Sequence, residues 1–206
     1  MTSVREFLDF AAEAAWQAGQ FTLSHFQSGL HVDWKADESP VTAADCGAEK
    51  LLRELIGRRF PDHAVVGEEM GEADKPDKDS SHRWILDPID GTQSFIKGVP
   101  LYGVLVGLEI SGEMVVGVAH FPALKEVVAA GRGEGCHWNG RPARVSKVSR
   151  LGEALVVFTE PTGPDVPGSV SGVVCRRRRG SNGAGAIATA TAWWPRVERK
   201  SWWIRS

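Results

Sequence analysis

Carboxylates standing where apolar runs end are the residues of this chain best placed to do chemistry. The densest case is Trp84-Ile85-Leu86-Asp87-Pro88-Ile89-Asp90-Gly91-Thr92. Trp84 to Leu86 reads as a buried strand, and Asp87 and Asp90 flank a proline just after it. Proline has no N–H to give to a sheet ladder, so the strand is expected to end at Pro88. Gly91 lets the backbone come close to a ligand. Thr92 is expected to N-cap a short helix through Phe95 and Ile96 that Gly98 closes. Two carboxylates brought together repel unless a hard divalent cation lies between them. The amides of Gly91 and Thr92, at a helix start, suit an anion such as phosphate. The chemistry indicated is metal plus phosphate; the plain alternative is an Asp-Pro turn leading into a capped helix.

A second strand end repeats the pattern. Ala64-Val65-Val66 reads as a short strand running into Gly67-Glu68-Glu69-Met70. Two separate strand ends bearing acids strengthen the metal reading, because oxygen-ligand Mg²⁺ sites are assembled from a few carboxylates plus water. Asp45 lies in the first turn of a helix expected near Ala43 to Phe60, and there the helix dipole alone accounts for an acid.

These residues need a scaffold. Apolar residues at Val4, Phe7, Leu8, Ala11, Ala15 and Ala18 follow helical spacing, with Ser3 as N-cap and Gly29 past the end. Val32 to Lys35 reads as a short strand, Ala36 to Val41 as a loop, and Gly71 to Ser81 as a polar surface loop. Tyr102 to Ile110 and Glu113 to Phe121 read as a hairpin turning at Ser111-Gly112. Glu126 to Arg132 and Cys136 to Trp138 follow as strands, and Asn139-Gly140 turns the chain into Ala143 to Val145. Ala154 to Phe158 begins another strand, and His120 and His137 read as structural. Helices followed by a run of antiparallel strands predict an α+β layered domain.

The totals set the frame. With 206 residues, 42% hydrophobic, the chain can bury one sizeable core and part of another. A net charge of -2 argues against nucleic acid as the main partner. No apolar run is long enough for a membrane span, and no leader is apparent at the start. Three cysteines without metal-ligand spacing suit a reducing cytoplasm.

Taken with Ser39-Pro40-Val41-Thr42-Ala43-Ala44-Asp45, the two acidic strand ends resemble the inositol monophosphatase superfamily of Mg²⁺-dependent phosphomonoesterases. Ser94 to Gly103 and Trp138-Asn139-Gly140-Arg141 are most similar to its bacterial histidinol-phosphatase branch. The resemblance covers about Val4 to Thr159. It implies a layered sugar-phosphatase fold, two or three Mg²⁺ ions and a small phosphomonoester substrate. That substrate would be histidinol phosphate, or else inositol monophosphate or another sugar or nucleotide phosphate. It further implies that Glu68, Asp87 and the Ile89 carbonyl hold a first ion, with Asp87 and Asp90 bridging to a second. Asp45 would reach a weaker third ion through water and belongs with Glu68 and Thr92 to the catalytic set. Thr92 with Glu68 would orient the attacking water, and Asp90 with the Gly91 and Thr92 amides would hold phosphate. Lys35 matches a loop lysine of the family, and a solvated surface lysine explains it equally well. Family members in intact form can be homodimers.

The domain expectation is residues 1–150 as the metal- and phosphate-binding domain, 151–175 as the start of a largely missing second α/β domain, and 176–206 as an aberrant tail. That tail carries Arg176 to Arg179 in a row and, after Asp165, a single acid, Glu198. A basic nucleic-acid-binding tail is one reading. Codon arithmetic favours another. Tryptophan has the single codon TGG, so one base earlier Trp193-Trp194-Pro195 encodes X-Val-Ala and Trp202-Trp203-Ile204 encodes X-Val-Asp. The shifted frame also permits Gly-Asp-Cys-Tyr-Gly, which is similar to the family's second domain. An out-of-frame tail is expected, and with it a chain of little activity.

Overall fold

The computed structural model describes residues 2–29, 32–34, 40–72 and 81–150. The expectations for Lys35, for the strand at Ala154 to Phe158 and for the two segments 151–175 and 176–206 lie outside the described residues. The chain divides into two compact units, Met1–Arg144 and Val145–Ser206. Of the second, residues 145–150 are described, exposed and without regular secondary structure.

The first unit is an α+β layer. Helix α1 (Val4–His25) begins at Ser3 in a capping box with Glu6. A hairpin of β1 (Val32–Trp34) and β2 (Pro40–Thr42) leads into α2 (Ala43–Arg59). Then come β3 (Ala64–Gly67), β4 (Gly71–Glu72), β5 (His82–Asp90) and the five-residue α3 (Thr92–Ile96). The rest is β6 (Gly103–Ile110), β7 (Glu113–Phe121), a 3₁₀ turn at Pro122–Leu124, β8 (Glu126–Gly131), β9 (Gly135–Trp138) and β10 (Arg141–Pro142). Eight of the described strands form one sheet in the order β10-β9-β8-β7-β6-β5-β3-β4, with β3 and β5 parallel and the other pairs antiparallel.

The alternation of side chains decides which face is covered. Trp84, Leu108 and Val116 stand opposite one another across β5, β6 and β7, as do Leu86, Val106 and Val118, and all six are buried. They pack under Ala11, Ala15 and Ala18 of α1 and Ala48, Leu52 and Ile56 of α2. The alanine stripe on α1 keeps that helix close to the sheet. The alternate set, Ile85 with Gly107 and Gly117, and Asp87 with Leu105 and Ala119, lies on the other face and none of it is fully buried.

Several sequence expectations need correction. The strand does not end at Pro88 but runs through it to Asp90. Pairing with β6 is regular to Asp87↔Leu105, slips, and resumes at Asp90↔Gly103. Proline is tolerated at such a bulge because the ladder position needing its N–H is lost there. The expected loop from Ala36 gives way earlier, since Pro40–Thr42 pairs with Val32–Trp34. Gly71–Glu72 is a strand paired with β3 rather than the start of a loop. After the Asn139-Gly140 turn, both residues at positive φ, the strand is Arg141–Pro142 and not Ala143 to Val145.

Candidate functional site

The acids converge through the parallel neighbours β3 and β5. Gly67 sits in register with Leu86, and the next residue, Glu68, donates its N–H to the Leu86 carbonyl at 3.1 Å. That places Glu68 beside Asp87, one residue beyond the register point on each strand. The Asp87 carboxyl is hydrogen-bonded to Glu68 and to the Ile89 N–H, and its pKa is pushed up to about 9. Burial is the largest cause, followed by the negative charges of Glu68 and Asp90. One oxygen of Asp87, Oδ1, is buried and has no hydrogen-bond partner. Asp90 follows the bulge after Asp87, and its charge is felt there.

Asp45 arrives from the other side of the sheet end. It is fully buried at the N-terminus of α2, where Oδ2 accepts from the Thr42 N–H at 2.8 Å and from the Thr42 hydroxyl. Its other oxygen lies 3.5 Å from the Thr92 hydroxyl, whose single proton has that oxygen and the nearer Ile89 carbonyl, at 3.1 Å, as its two acceptors. Thr92 is not the N-cap of α3: Gly91 holds that position at φ 89°, ψ 40°, and Thr92 is the first helical residue. A left-handed backbone there is cheap only for glycine. A Cβ at Gly91 would also come within 3.0 Å of the Leu101 carbonyl oxygen. The first-turn N–H groups of a helix have no intrahelical acceptor, so those after Gly91 remain available to an anion.

Two groupings therefore meet at this end of the sheet: Glu68–Asp87–Asp90, and Asp45–Thr92–Ile89. Thr92 makes its hydrogen-bond contacts with Asp45 and Ile89. Lys35 lies outside the described residues. His120 is buried with Nδ1 at 3.0 Å from the Ala15 carbonyl, in keeping with a structural residue.

The donor chemistry suits a hard divalent cation. A protonated carboxyl sharing a hydrogen bond with a second acid, and carrying an orphaned buried oxygen, has the oxygen donors that such an ion would take. The ion's charge would replace the proton and cancel the repulsion among three acids. Among the described residues, no three His, Cys, Asp or Glu are drawn together as a ready-made metal cluster.

Glu49 is a functional candidate that the sequence reading missed. Its side chain is fully buried on α2, and it accepts from the backbone N–H groups of Glu69 (2.8 Å) and Met70 (3.2 Å), just after Glu68. The available signal was an acid at a stripe position, four residues after Asp45 and three before Leu52.

The inositol monophosphatase family model matches residues 3–168. The chain belongs to the inositol monophosphatase family. It is 48% identical over 154 residues to a histidinol-phosphatase of Chlorobaculum parvum, covering 74% of this chain and 58% of the relative. Inositol monophosphatase 3 of Solanum lycopersicum is 36% identical over 167 residues, covering 79% of this chain and 61% of the relative. Among solved structures, the extragenic suppressor protein suhB of Bartonella henselae superposes with a TM-score of 0.66 at 34% identity, covering 70% of this chain and 56% of that one. An inositol monophosphatase of Zymomonas mobilis gives 0.63 at 31% identity, covering 75% and 58%. The expected fold class is thus the one found, and the chain spans about three-fifths of the length of these relatives. No described helix is long and apolar enough to cross a membrane.

Proposed function

We propose that this chain carries the metal- and phosphate-binding part of a phosphomonoesterase that uses Mg²⁺. The observation that carries the reading is the unpartnered buried Asp87 oxygen on a carboxyl that is hydrogen-bonded to Glu68 and feels the charge of Asp90. Glu68, Asp87, Asp90 and the Ile89 carbonyl would hold the ions. Bound Mg²⁺ would supply a water of lowered pKa and screen the phosphate charge. The chain's own groups do the rest. Asp45 and the Ile89 carbonyl are the two acceptors open to the Thr92 hydroxyl proton, and together they fix where its oxygen points, which orients a water held against Thr92. Asp45 itself is held by two donors from Thr42. The amides after Gly91 would bind the phosphate oxygens, and Glu68 with Thr92 would take the water's proton. No covalent enzyme intermediate is needed for an in-line displacement of this kind.

Histidinol phosphate is the substrate we favour, with inositol monophosphate as the rival. The 48% identity to a histidinol-phosphatase against 36% to an inositol monophosphatase supports that order. Measuring phosphate release from both esters in the presence of Mg²⁺, using a form that continues through the second domain, tests it. No release from histidinol phosphate would overturn the substrate. No Mg²⁺ dependence would overturn the chemistry.

A further inference from the structure

The turn that carries Glu68 is fastened from below by two residues of α2 with no place in the site as described. The Glu49 carboxylate accepts from the Glu69 and Met70 N–H groups at 2.8 and 3.2 Å, and from Arg53 Nε at 2.8 Å. Arg53 then reaches the backbone on both sides of the turn, donating to the Val65 carbonyl at 3.5 Å and to the Gly71 carbonyl. Together with the Glu68 N–H on the Leu86 carbonyl, three successive amides, 68 to 70, are pinned. Space for this is reserved in β3: a Cβ on Gly67 would fall on the Glu49 carboxylate. The Glu49 side chain is fully buried and that of Arg53 only 16% exposed, so this is not a surface i,i+4 pair. A buried carboxylate is tolerated only when such donors satisfy it.

We infer that Glu49, locked by Arg53, is a positioning residue: it sets the backbone from which Glu68 meets Asp87 and so tunes divalent-cation affinity without touching the ion. The inference rests on Glu68 being a metal ligand, as proposed above. Charge and geometry separate cleanly at this site. Glu49→Asp keeps the charge but is one methylene too short to reach the two amides. Glu49→Gln keeps the reach but turns one acceptor into a donor facing an N–H.

Mn²⁺ binding to the full chain, followed by electron paramagnetic resonance, tests this alongside amide hydrogen exchange over residues 64–72. Both variants should bind Mn²⁺ about 10-fold or more weakly than the unsubstituted chain, the size of effect seen when supporting partners of metal ligands are removed. Exchange at Glu69 and Met70 should rise in step, with the far-ultraviolet dichroism unchanged. Glu54→Gln, on the exposed face of the same helix, should match the unsubstituted chain. If both Glu49 variants bind normally, or the Glu69 and Met70 amides stay protected, the inference is overturned while the metal site stands. If the unsubstituted chain binds no Mn²⁺, the proposed function falls and the inference with it. Arg53→Lys keeps the buried charge paired and decides the matter should the Glu49 variants unfold. A Lys cannot reach both carbonyls, so weakened binding supports the inference and normal binding overturns it.

Discussion

Acid should weaken this fold through one histidine that is not among the candidate site residues. The indole N–H of fully buried Trp84 donates to His63 Nδ1 at 3.0 Å. An indole nitrogen only donates, so Nδ1 must carry a lone pair and His63 must be neutral. The ring is stacked between Phe60, at 4.8 Å, and His82, at 4.4 Å, with Phe7 at 5.7 Å. Its pKa is lowered to about 4, by burial first and then by His82, while Asp62 pulls weakly the other way. A base whose folded pKa is depressed binds protons better when unfolded, so stability is full above the unfolded value. It is then lost as pH falls from about 6.5 toward about 4.

Between those values the loss at pH 5 has a ceiling of about 2 kcal/mol. His63 is only partly buried, and solvent screening brings the expected figure to ~1 kcal/mol. Other groups titrate in the same window, so the measurement is a difference. Urea unfolding at pH 7.5 and 5.0 is compared between the unsubstituted chain and His63→Gln, whose amide oxygen can accept from Trp84 and does not titrate. The unsubstituted chain should lose ~1 kcal/mol more than the variant over that interval. Equal losses in the two, or a His63 ring titrating near 6.5 by NMR, would refute the tautomer argument.

In a form that continues through the second domain, Asp90→Asn and Glu68→Gln should each weaken divalent-cation binding and abolish phosphate release. Unchanged far-ultraviolet dichroism should show that the fold persists, and near-normal turnover at saturating Mg²⁺ would remove these residues from the site. Gly91→Ala should cost about 1–2 kcal/mol in urea unfolding, from the positive φ. It should also weaken inorganic phosphate binding by pushing against the Leu101 carbonyl. Sequencing the gene across the codons for Pro161 to Asn182 should reveal a one-base shift that opens a frame through Gly-Asp-Cys-Tyr-Gly; an early stop in that frame would end the out-of-frame reading.

How much of the site a sequence discloses depends on whether a residue's role is local. The starts of the two long helices are legible because capping is local: Ser3 caps α1 as expected, and Asp45 in the first turn of α2 bonds back to Thr42 three residues before it, whereas α3 is capped by Gly91 and not by Thr92. Asp45 read as a first-turn acid suited to the helix dipole, and that place at the helix start is half of its geometry; the other half, Thr92, lies 47 positions on and left no local mark. Pro88 misled because the rule that proline ends a strand is a rule about ladder hydrogen bonds, and the bulge before Asp90 removes the bond in question. Nothing in the residues 87–90 announces a bulge, since it is defined only against β6.

Glu49 shows the same limit from the other direction. Four residues before an arginine, it has the spacing of an ordinary surface ion pair, and most such pairs are solvated. What makes it different is a partner set of backbone amides 20 and 21 residues away, and backbone amides are identical in every sequence. A side chain whose partners are other side chains can leave a chemical trace in the chain. One whose partners are main-chain N–H groups leaves only its own burial, and an acid in an apolar helical stripe is the single form in which that burial can be read.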